Sequence, residues 1–297
     1  MFRDVNSDLI IPPEWEGILT GLAGRETAVV YILGPTDVGK TTLSRYLVAG
    51  LAGKGPVACL DADTGQSTVG PPATVGLALC AGRPPRPIRT VLRFVGSLSP
   101  QGHMLQHLVS TARLLTTARE EGARYVIIDS PGWVEGPVAE EFQVRMIDLL
   151  SPDLVVAIQE KGDLRGILAN FRSRTGITIL SIPPSPHVRA RSRGWRAHYR
   201  REQFRSYFAG YTGAEIPLEG TGFHGKVPES FHDDAWQNLL VALCDREMQV
   251  VTLAVVEQLD IPAGTLRVRV PPGDLSWVVS VQVGSIRLGA GLDGVVQ

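Results

Sequence analysis

The chain has 297 residues and a formal net charge of −1, with 44% hydrophobic and 20% charged residues. This composition is typical of globular proteins and excludes extended disorder. The near-zero net charge excludes a global attraction to nucleic acid, so any site for a polyanion must be local. The length suits one large α/β domain with a small accessory domain.

The cysteines and the apolar runs bear on the compartment. Cys59, Cys80 and Cys244 are isolated in apolar stretches, which indicates buried thiols in a reducing environment rather than disulfides or a zinc site. The charged N-terminus lacks the apolar core of a signal peptide, and no apolar run reaches membrane-spanning length. We therefore expect a cytoplasmic protein without membrane association.

A glycine-rich loop follows the first predicted strand. Residues 1–26 are predicted to be a short lead-in, and residues 27–33 an apolar strand that runs into the motif G-x-x-x-x-G-K-[ST]. The backbone N–H groups of such a loop point at phosphates, and the following helix adds its positive end. Lys40 is expected to reach the β- and γ-phosphates of ATP, and the Thr41 hydroxyl to bind Mg²⁺. The predicted nucleotide-binding residues are Gly34, Pro35, Thr36, Asp37, Val38, Gly39, Lys40, Thr41 and Thr42.

The next part of the chain alternates between strands and helices. Predicted strands cover residues 56–60, 91–95, 125–128, 154–158 and 177–180, and predicted helices cover residues 101–121 and 137–150. Residues 81–90 are predicted to be a loop. Strands that are apolar throughout and alternate with helices indicate a mostly parallel, doubly wound sheet covered on both faces, as in P-loop NTPases.

The pattern changes after residue 186. Residues 187–208 are rich in arginine and are predicted to form a helical lid, and β patterns cover residues 239–243, 250–256, 265–270 and 277–281. We predict a P-loop kinase domain over residues 27–214 and a small C-terminal β domain over residues 215–297.

Three aspartates follow apolar strands of the predicted sheet. Asp61 and Asp63 come after one strand, and Asp129 ends another, which is the Walker B arrangement. Parallel sheets place their chemistry at this carboxyl edge. Phosphoryl transfer needs a carboxylate to accept the proton of the attacking hydroxyl and others to hold Mg²⁺. We assign Asp63 as the general base and Asp61 and Asp129 to the metal; the alternative is that Asp61 and Asp63 only cap a turn.

Two further side chains are candidates for substrate contacts. Gln66 is expected to contact phosphate or substrate, although an ordinary turn amide is an equal alternative. Trp133 lies just beyond the carboxyl edge of the predicted sheet, where an indole can stack on a nucleobase. The alternative for Trp133 is a side chain that is simply partly buried.

The arginines of the predicted lid form a dense basic cluster. Arg196 and Arg200 are four residues apart and therefore share one helical face. A mobile lid that carries arginines over the γ-phosphate explains this density, because charge that develops on the transferring group needs fixed cations. A solvated basic face or a patch that only binds a polyanion is the alternative. The cluster comprises Arg189, Arg191, Arg193, Arg196, Arg200, Arg201 and Arg205.

With these motifs in this order, the chain resembles the polynucleotide 5′-hydroxyl kinases. This family includes archaeal and bacterial RNA 5′-kinases and the kinase subunit of the eukaryotic pre-mRNA cleavage complex. The matching motifs are G-P-x-D-x-G-K-[ST] at residues 34–42, D-x-D-x-G-Q at 61–66, F-V-G-S-L-S-P-Q-G-H at 94–103, G-W at 132–133 and the arginine lid. They span about residues 12–208, and the C-terminal β segment is less similar.

The resemblance implies transfer of the ATP γ-phosphate to the 5′-hydroxyl of RNA, or also of DNA, with Mg²⁺. We expect no obligate protein partner, since none is evident from the sequence. The resemblance implies that Lys40, Asp63, Arg196 and Arg200 are catalytic. It also implies a substrate clamp at residues 130–133, where the family pattern is T-x-G-W. The first residue here is serine instead of threonine, and it keeps the side-chain hydroxyl. The substrate-binding residues that we assign are Gln66, Ser130, Pro131, Gly132, Trp133 and Arg193. The N-terminal β domain of the eukaryotic members is absent from this sequence, as in the compact prokaryotic members.

Two other functions remain open from the sequence. A regulatory GTPase or ATPase would use D-S-P-G at residues 129–132 as a switch and E-K-G-D at residues 160–163 as a variant of the guanine-reading motif. A nucleotide-bound RNA-binding scaffold without catalysis is the second alternative. The sequence does not decide between RNA and DNA, between single and double strands, or between Asp61 and Asp129 as the closer metal partner.

Overall fold

In the computed structural model, residues 10–160, 162–230, 232–289, 291 and 295–296 are described. The chain divides into two compact units, the first with residues 1–69, 75–91 and 99–191 and the second with residues 70–74, 92–98 and 192–297. The start of the predicted lead-in, Lys161 of the E-K-G-D segment and the last residue of the predicted β domain lie outside the described residues. The domain boundaries after residues 26 and 214 stay predictions.

The first unit is built around a sheet that alternates with helices. Its elements are α1 (Pro13–Ala23), β1 (Ala28–Leu33), α2 (Lys40–Leu51), β2 (Val57–Asp61), β3 (Thr74–Ala81), β4 (Arg86–Phe94), α3 (Met104–Glu120), β5 (Tyr125–Asp129), α4 (Pro137–Leu150), β6 (Leu154–Ile158), α5 (Arg165–Ala169) and β7 (Thr178–Ile182). In the described parts of the chain, no helix is both long and apolar enough to cross a membrane.

The sheet of the first unit is mostly parallel. Its strand order is β4-β3-β2-β5-β1-β6-β7, and β2, β5, β1, β6 and β7 pair in parallel, while β3 runs antiparallel to β2. The inner strands β1, β2, β5 and β6 are buried at every position. Continuous apolar runs are what a parallel strand with both faces covered requires. The predicted doubly wound α/β class is therefore confirmed.

One local prediction was wrong. Residues 81–90, predicted to be a loop, contain the end of β3 and the first half of β4. The five residues from 86 to 90 are all exposed, so this half of β4 carries arginine and proline instead of the apolar residues of a buried strand. Sequence periodicity detects strands through burial, and an exposed half-strand gives no such signal.

The second unit is an antiparallel sheet with one long helix. Its elements are α6 (Arg193–Tyr207), β8 (Thr212–Pro217), β9 (Gly222–Gly225), α7 (Asp233–Trp236), β10 (Leu239–Cys244), β11 (Val250–Asp260), β12 (Thr265–Val270), β13 (Ser280–Leu288) and β14 (Val295–Val296). The strand order is β14-β13-β10-β11-β12-β8, and β9 pairs in parallel with β13. The predicted C-terminal β structure is confirmed.

Both faces of this second sheet are buried, because successive residues of β10 and β11 point into two different cores. Trp236 packs with the residues on one face of the sheet. Phe204 and Phe208 of α6 pack with the residues on the other face. The first set includes Leu239, Val241, Leu243, Ala254 and Val256, and the second set includes Leu240, Ala242, Cys244, Leu253 and Val255. The period-two alternation of a strand explains why β10 is apolar at every position.

A close backbone approach within the second unit depends on Gly96. A Cβ added at Gly96 would lie 2.7 Å from the Cα of Gly284, and Gly96 has a φ of +77°. Gly102 has a nearly equal φ of +75°, but an added Cβ would meet nothing within 4 Å. Both residues therefore have the same left-handed conformation, and only Gly96 is also in steric contact with another strand.

We expect Gly96→Ala to lower the free energy of unfolding more than Gly102→Ala. Each substitution carries the cost of a left-handed alanine, about 1–2 kcal/mol. Gly96→Ala adds the cost of overpacking, about 1–3 kcal/mol. Urea denaturation of both variants and the parent chain measures the difference, and equal losses in the two variants would contradict the close approach.

Candidate functional site

The glycine-rich loop connects β1 to α2 at the carboxyl edge of the parallel sheet. A Cβ added at Gly34 would lie 2.7 Å from the carbonyl oxygen of Ile158, so the loop begins in direct contact with β6. Lys40 opens α2 and is buried, and its Nζ donates a hydrogen bond to the carbonyl oxygen of Pro35 at 2.7 Å. Burial lowers the pKa of Lys40, and the negative charge of Asp129 partly offsets this effect. The ammonium group is thus held over its own loop, in a place where an anion would stabilise its charge.

Thr41 and Asp129 form the most direct polar contact of the site. The Thr41 hydroxyl donates to Asp129 Oδ2 at 2.6 Å. Asp129 Oδ1 is buried and has no hydrogen-bond partner among the described residues. Burial raises the pKa of Asp129 to about 6, while the positive charge of Lys40 lowers it. A hydroxyl oxygen beside an unsatisfied carboxylate oxygen matches the hard oxygen ligands that Mg²⁺ prefers.

Asp61 lies beside Asp129, because β2 and β5 pair in parallel with these two residues in register. Its carboxylate accepts hydrogen bonds from the backbone N–H groups of Asp63, Thr68 and Val69 and from the Thr68 hydroxyl. Burial and the negative charge of Asp129 together raise the pKa of Asp61 to about 7, against the lowering effect of the N–H donor of Thr68. The Asp61 carboxylate therefore holds its own loop, whereas Asp129 contacts the P-loop threonine.

Asp63 organises the turn that follows. Its Oδ1 accepts the backbone N–H groups of Gly65 at 2.9 Å and Gln66 at 3.0 Å. The sequence alternative of a turn-capping role is therefore part of what Asp63 does. Its negative charge also raises the pKa of Lys40, which places the carboxylate within electrostatic range of the P-loop. A capping contact through one oxygen and a proton-accepting role through the carboxylate are compatible.

Arg191 connects this turn to the P-loop, although the sequence analysis assigned it only to the arginine cluster. Its backbone N–H donates to Asp37 Oδ2 at 2.9 Å, and its Nη1 donates to Gln66 Oε1 at 3.3 Å. Asp37 has a φ of +61°, which an aspartate tolerates better than most residues. Within the first unit, Arg191 therefore links the phosphate loop to the predicted substrate residue Gln66.

The predicted clamp at residues 130–133 packs directly on the P-loop. A Cβ added at Gly132 would lie 2.5 Å from Thr36 Oγ1 and 2.8 Å from the backbone nitrogen of Thr36. Only glycine allows this approach without displacing the loop. Gln143 holds the clamp from behind, since its Nε2 donates to the carbonyl oxygens of Pro131 at 3.2 Å and Trp133 at 3.0 Å.

Tyr31 fixes the Gln143 amide that holds the clamp. The Tyr31 hydroxyl donates to Gln143 Oε1 at 2.7 Å, and both side chains are buried. Burial raises the pKa of Tyr31 above its ordinary value, so the phenol stays a hydrogen-bond donor. The sequence showed these two residues only as part of an apolar strand and of a helix, with no signal that they meet.

His107 is a third buried residue that the sequence analysis did not single out. Its Nε2 lies 2.8 Å from the carbonyl oxygen of Ala62. Ala62 stands between Asp61, which we assigned to the metal, and Asp63, which we assigned as general base. The ring of His107 also meets Phe142 edge to face at 5.2 Å, and Phe142 lies 5.7 Å from the ring of Trp133. Burial lowers the pKa of His107 to about 4, so the neutral ring donates from Nε2. His107 thereby ties α3 to the acidic loop and to the clamp.

The arginines of the predicted lid divide between the two units. Arg189 and Arg191 precede the helix and belong to the first unit, whereas α6 of the second unit carries Arg193, Arg196, Arg200, Arg201 and Arg205. The helix begins where the hydroxyl of its N-cap, Ser192, accepts the backbone N–H of Trp195 at 3.0 Å. Phe204 and Phe208 anchor the helix in the core of the second unit. Within that unit Arg196 and Arg200 are partly buried, whereas Arg193 is exposed. The first unit therefore brings together the P-loop, the three aspartates, Gln66 and the clamp, and the three arginines stand on the second.

The chain is similar to a known family and to known proteins. The family described as "mRNA cleavage and polyadenylation factor CLP1 P-loop" matches residues 34–210, more than half of the chain. A polyribonucleotide 5′-hydroxyl-kinase of Pyrococcus furiosus is 33% identical over 193 residues, which cover 63% of this chain and 52% of that protein. The chain therefore spans about half the length of that relative. A polyribonucleotide 5′-hydroxyl-kinase of Pyrococcus horikoshii is 26% identical, with 89% of this chain and 87% of that protein covered.

A solved structure is similar over nearly the whole chain. The Clp1p chain of a wild-type Clp1p–Pcf11p complex superposes with a TM-score of 0.67, covering 92% of this chain and 78% of that one. The sequence identity over this match is 15%, so the similarity is one of fold. It agrees with the two sheets described above.

We expect Gly132→Ala to weaken nucleotide binding. The added methyl group would displace Thr36 and with it the phosphate loop, and overpacking of this kind costs about 1–3 kcal/mol. If that cost falls on the bound state, the dissociation constant of an ATP analogue rises by about 5- to 150-fold. Isothermal titration calorimetry measures it. Gly17→Ala is the matched control, since a Cβ there meets nothing within 4 Å; equal affinities in the two variants would contradict the contact.

The buried neutral His107 predicts a pH-dependent contribution to stability. Because burial lowers its pKa to about 4, the unfolded chain binds a proton between pH 6.5 and 4 that the folded chain does not. Stability contributed by the neutral ring is therefore complete above pH 6.5 and is lost as the pH falls towards 4. The full loss is on the order of 3 kcal/mol.

Comparison with His107→Gln isolates this contribution. The parent chain is expected to be more stable than the variant at pH 7, and the gap in free energy of unfolding should narrow towards pH 4.5. The raised pKa values of Asp61 and Asp129 act in the opposite direction, but they act in both proteins and cancel to first order in the difference. A gap that stays constant between pH 7 and 4.5 would show that His107 titrates normally.

Proposed function

Because the chain belongs to the family described as "mRNA cleavage and polyadenylation factor CLP1 P-loop", we propose that it is an ATP-dependent polynucleotide 5′-hydroxyl kinase. The acceptor that we propose is the 5′-hydroxyl of RNA, with DNA as an alternative acceptor. Two relatives carry the name polyribonucleotide 5′-hydroxyl-kinase, and one of them aligns over 89% of this chain. The observation that carries the proposal is the convergence of Lys40, the Thr41–Asp129 pair and the Asp63 turn at one sheet edge.

We infer that the phosphate loop holds the donor nucleotide. Backbone N–H groups of residues 34–42 and the N-terminus of α2 would contact the phosphates of ATP. Lys40 would exchange its hydrogen bond to Pro35 for one to the β- and γ-phosphates, which restores a charged partner to a buried ammonium. Thr41 and Asp129 are the residues that would hold Mg²⁺, and the unsatisfied Asp129 Oδ1 supports this assignment over Asp61.

The transfer step that we propose runs between two oxygens. The 5′-hydroxyl oxygen attacks the γ-phosphorus, the bond between that phosphorus and the β–γ bridging oxygen breaks, and ADP leaves. Asp63 accepts the hydroxyl proton as general base. When bound, Mg²⁺ neutralises the phosphate charge that develops. Arg196 and Arg200 would stabilise the equatorial oxygens of the transferring group.

The acceptor strand would be held by the clamp, by Gln66 and by Arg193. Trp133 would stack on a base beside the 5′ end, while Ser130, Pro131 and Gly132 shape the pocket and Gln143 keeps it in place. Gln66, oriented by Arg191, and Arg193 would contact the substrate phosphates. The hydrogen bonds between these residues in the first unit support a clamp that is ordered before substrate arrives.

We expect Lys40→Ala and Asp63→Asn to abolish transfer of labelled γ-phosphate to a 5′-hydroxyl oligonucleotide. Lys40→Ala removes a phosphate contact, and Asp63→Asn keeps the turn geometry but removes the proton acceptor. Lys54→Ala is the matched control, because Lys54 is an exposed lysine whose Nζ donates to the carbonyl oxygen of Ala23, away from the site. Full activity in either site variant, or no labelling of any RNA or DNA end by the parent chain, would refute the proposal.

The Thr41–Asp129 pair predicts the metal dependence. We expect Thr41→Val to shift the Mg²⁺ concentration for half-maximal activity upward by at least tenfold, because it removes an oxygen ligand without changing the shape of the side chain. Thr41→Ser keeps the oxygen and should stay close to the parent chain. A magnesium titration of the transfer rate separates the three proteins, and identical curves would remove Thr41 from the metal site.

A further inference from the structure

A fully buried carboxamide lies beside the predicted clamp. Gln143 stands on the face of α4 that also carries the buried side chains of Phe142 and Met146, and none of its own surface is exposed. Burying an amide among apolar side chains costs free energy unless its polar atoms have partners. An apolar residue of similar size would fill this position without that cost. We therefore expect the amide to have a role besides packing.

The partners of the Gln143 amide determine which way it faces. Its Oε1 accepts the Tyr31 hydroxyl at 2.7 Å, and its Nε2 donates to the carbonyl oxygens of Pro131 at 3.2 Å and Trp133 at 3.0 Å. A carboxamide has one oxygen acceptor and two N–H donors. These three bonds use both N–H groups. A carboxylate could not replace the amide, because it has no N–H for the two carbonyl oxygens.

The two carbonyl groups flank the clamp residue that touches the phosphate loop. Pro131 and Trp133 stand on either side of Gly132 in the chain. Gly132 lies so close to Thr36 that an added Cβ would be 2.8 Å from the Thr36 backbone nitrogen. The clamp is therefore held at three consecutive residues, by the Gln143 amide at 131 and 133 and by packing against the phosphate loop at 132.

Tyr31 connects this amide to the strand that leads into the phosphate loop. It is fully buried in β1, which ends shortly before Gly34. β1 pairs in parallel with β5, and Ile32 stands opposite Asp129, so the clamp begins beside the end of β1. The strand β1 thus fixes the phosphate loop through the chain itself, and it fixes the clamp through the Tyr31 hydroxyl.

We propose that Tyr31 and Gln143 are positioning residues, which set where the 5′-terminal nucleotide of the acceptor lies relative to the phosphate loop. The inference rests on the proposed kinase function and deepens it. Tyr31 acts through Gln143, and Gln143 acts through the carbonyl groups of the clamp, so neither side chain touches the substrate. Correct placement of two reacting groups contributes strongly to a reaction rate, and small displacements are costly.

The competing explanation is that the two buried residues only stabilise the fold. Under that explanation, a pair of substitutions that restores stability also restores activity. Under the positioning role, activity stays low for as long as the carbonyl groups of Pro131 and Trp133 lack their donor. The two explanations therefore differ in whether acceptor kinetics follow stability.

The first test compares Tyr31→Phe with Tyr125→Phe. Tyr125 is the matched control, because it is equally buried at the start of β5 and donates its hydroxyl to the carbonyl oxygen of Arg25 at 2.9 Å. Tyr31→Phe should raise KM for a 5′-hydroxyl oligoribonucleotide at least about fivefold, since it leaves a buried acceptor without its donor. Tyr125→Phe should leave this KM unchanged. Equal KM values in the two variants would overturn the proposal.

The same variants should bind the donor normally. The phosphates of ATP are expected to contact residues 34–42, so the dissociation constant of an ATP analogue should change less than twofold in Tyr31→Phe. Isothermal titration calorimetry measures it. A parallel loss of ATP and acceptor affinity would show that the substitution disturbs the whole site and would contradict a role confined to the acceptor.

A double variant separates positioning from stability. Gln143→Met removes all three hydrogen bonds at similar volume, and it should raise the acceptor KM more than Tyr31→Phe does. Adding Tyr31→Phe to Gln143→Met removes the hydroxyl that was left without a partner, so urea denaturation should show a gain in stability. The acceptor KM should stay at the value of Gln143→Met. Recovery of KM together with stability would refute the positioning role.

A binding measurement keeps this inference distinct from the kinase proposal. An oligoribonucleotide with 2-aminopurine as its 5′-terminal base should be quenched by stacking on Trp133, and its affinity should fall in Tyr31→Phe but not in Tyr125→Phe. This signal requires no phosphate transfer. Such binding without labelling of the 5′ end would support the positioning role and refute the kinase. Labelling with parent-like acceptor affinity in Tyr31→Phe would refute the positioning role alone, and a parent chain that neither binds nor labels the oligonucleotide would refute both.

Discussion

The burial of charge at the carboxyl edge of the parallel sheet is the constraint on which the site depends. Lys40, Asp61 and Asp129 are all buried, and burial disfavours the charged form of each. The register of β2, β5 and β1 fixes the two carboxylates side by side, so the fold itself imposes the repulsion between them. A buried carboxylate is stabilised by hydrogen-bond donors, by cations or by a proton. Asp61 and Asp129 are stabilised in different ways.

The hydrogen bonds that stabilise the Asp61 carboxylate come from its own loop, and they determine how the turn with Asp63 and Gln66 is folded. The donors come from residues 63–69, so the turn that carries Asp63 and Gln66 is folded around a buried carboxylate. Asp129 has only Thr41 and the charge of Lys40, with one oxygen left unsatisfied. A bound cation would provide a positive charge beside Asp129, and a triphosphate would provide a negative charge beside Lys40.

The sequence predicted those features that are encoded locally. Apolar runs predicted the buried strands, and the glycine-rich motif predicted the turn that leads into α2. The position of Asp61, Asp63 and Asp129 at the ends of apolar strands indicated that they belong to the site. The sequence did not predict His107, Gln143 or Tyr31, because each acts through a partner far along the chain, for example 112 residues between Tyr31 and Gln143. The exposed half of β4 was missed for a different reason, since exposure removes the apolar pattern itself.

The position of α6 limits how the predicted mobile lid can work. Phe204 and Phe208 are buried in the second sheet, and burial of such side chains is worth about 1.5–3 kcal/mol each. A helix that moved alone would have to expose both rings, at a cost of about 3–6 kcal/mol. Nucleotide contacts of two arginines would have to repay that cost on every turnover. It follows that Arg196 and Arg200 stand on a helix that Phe204 and Phe208 fix to the sheet of the second unit.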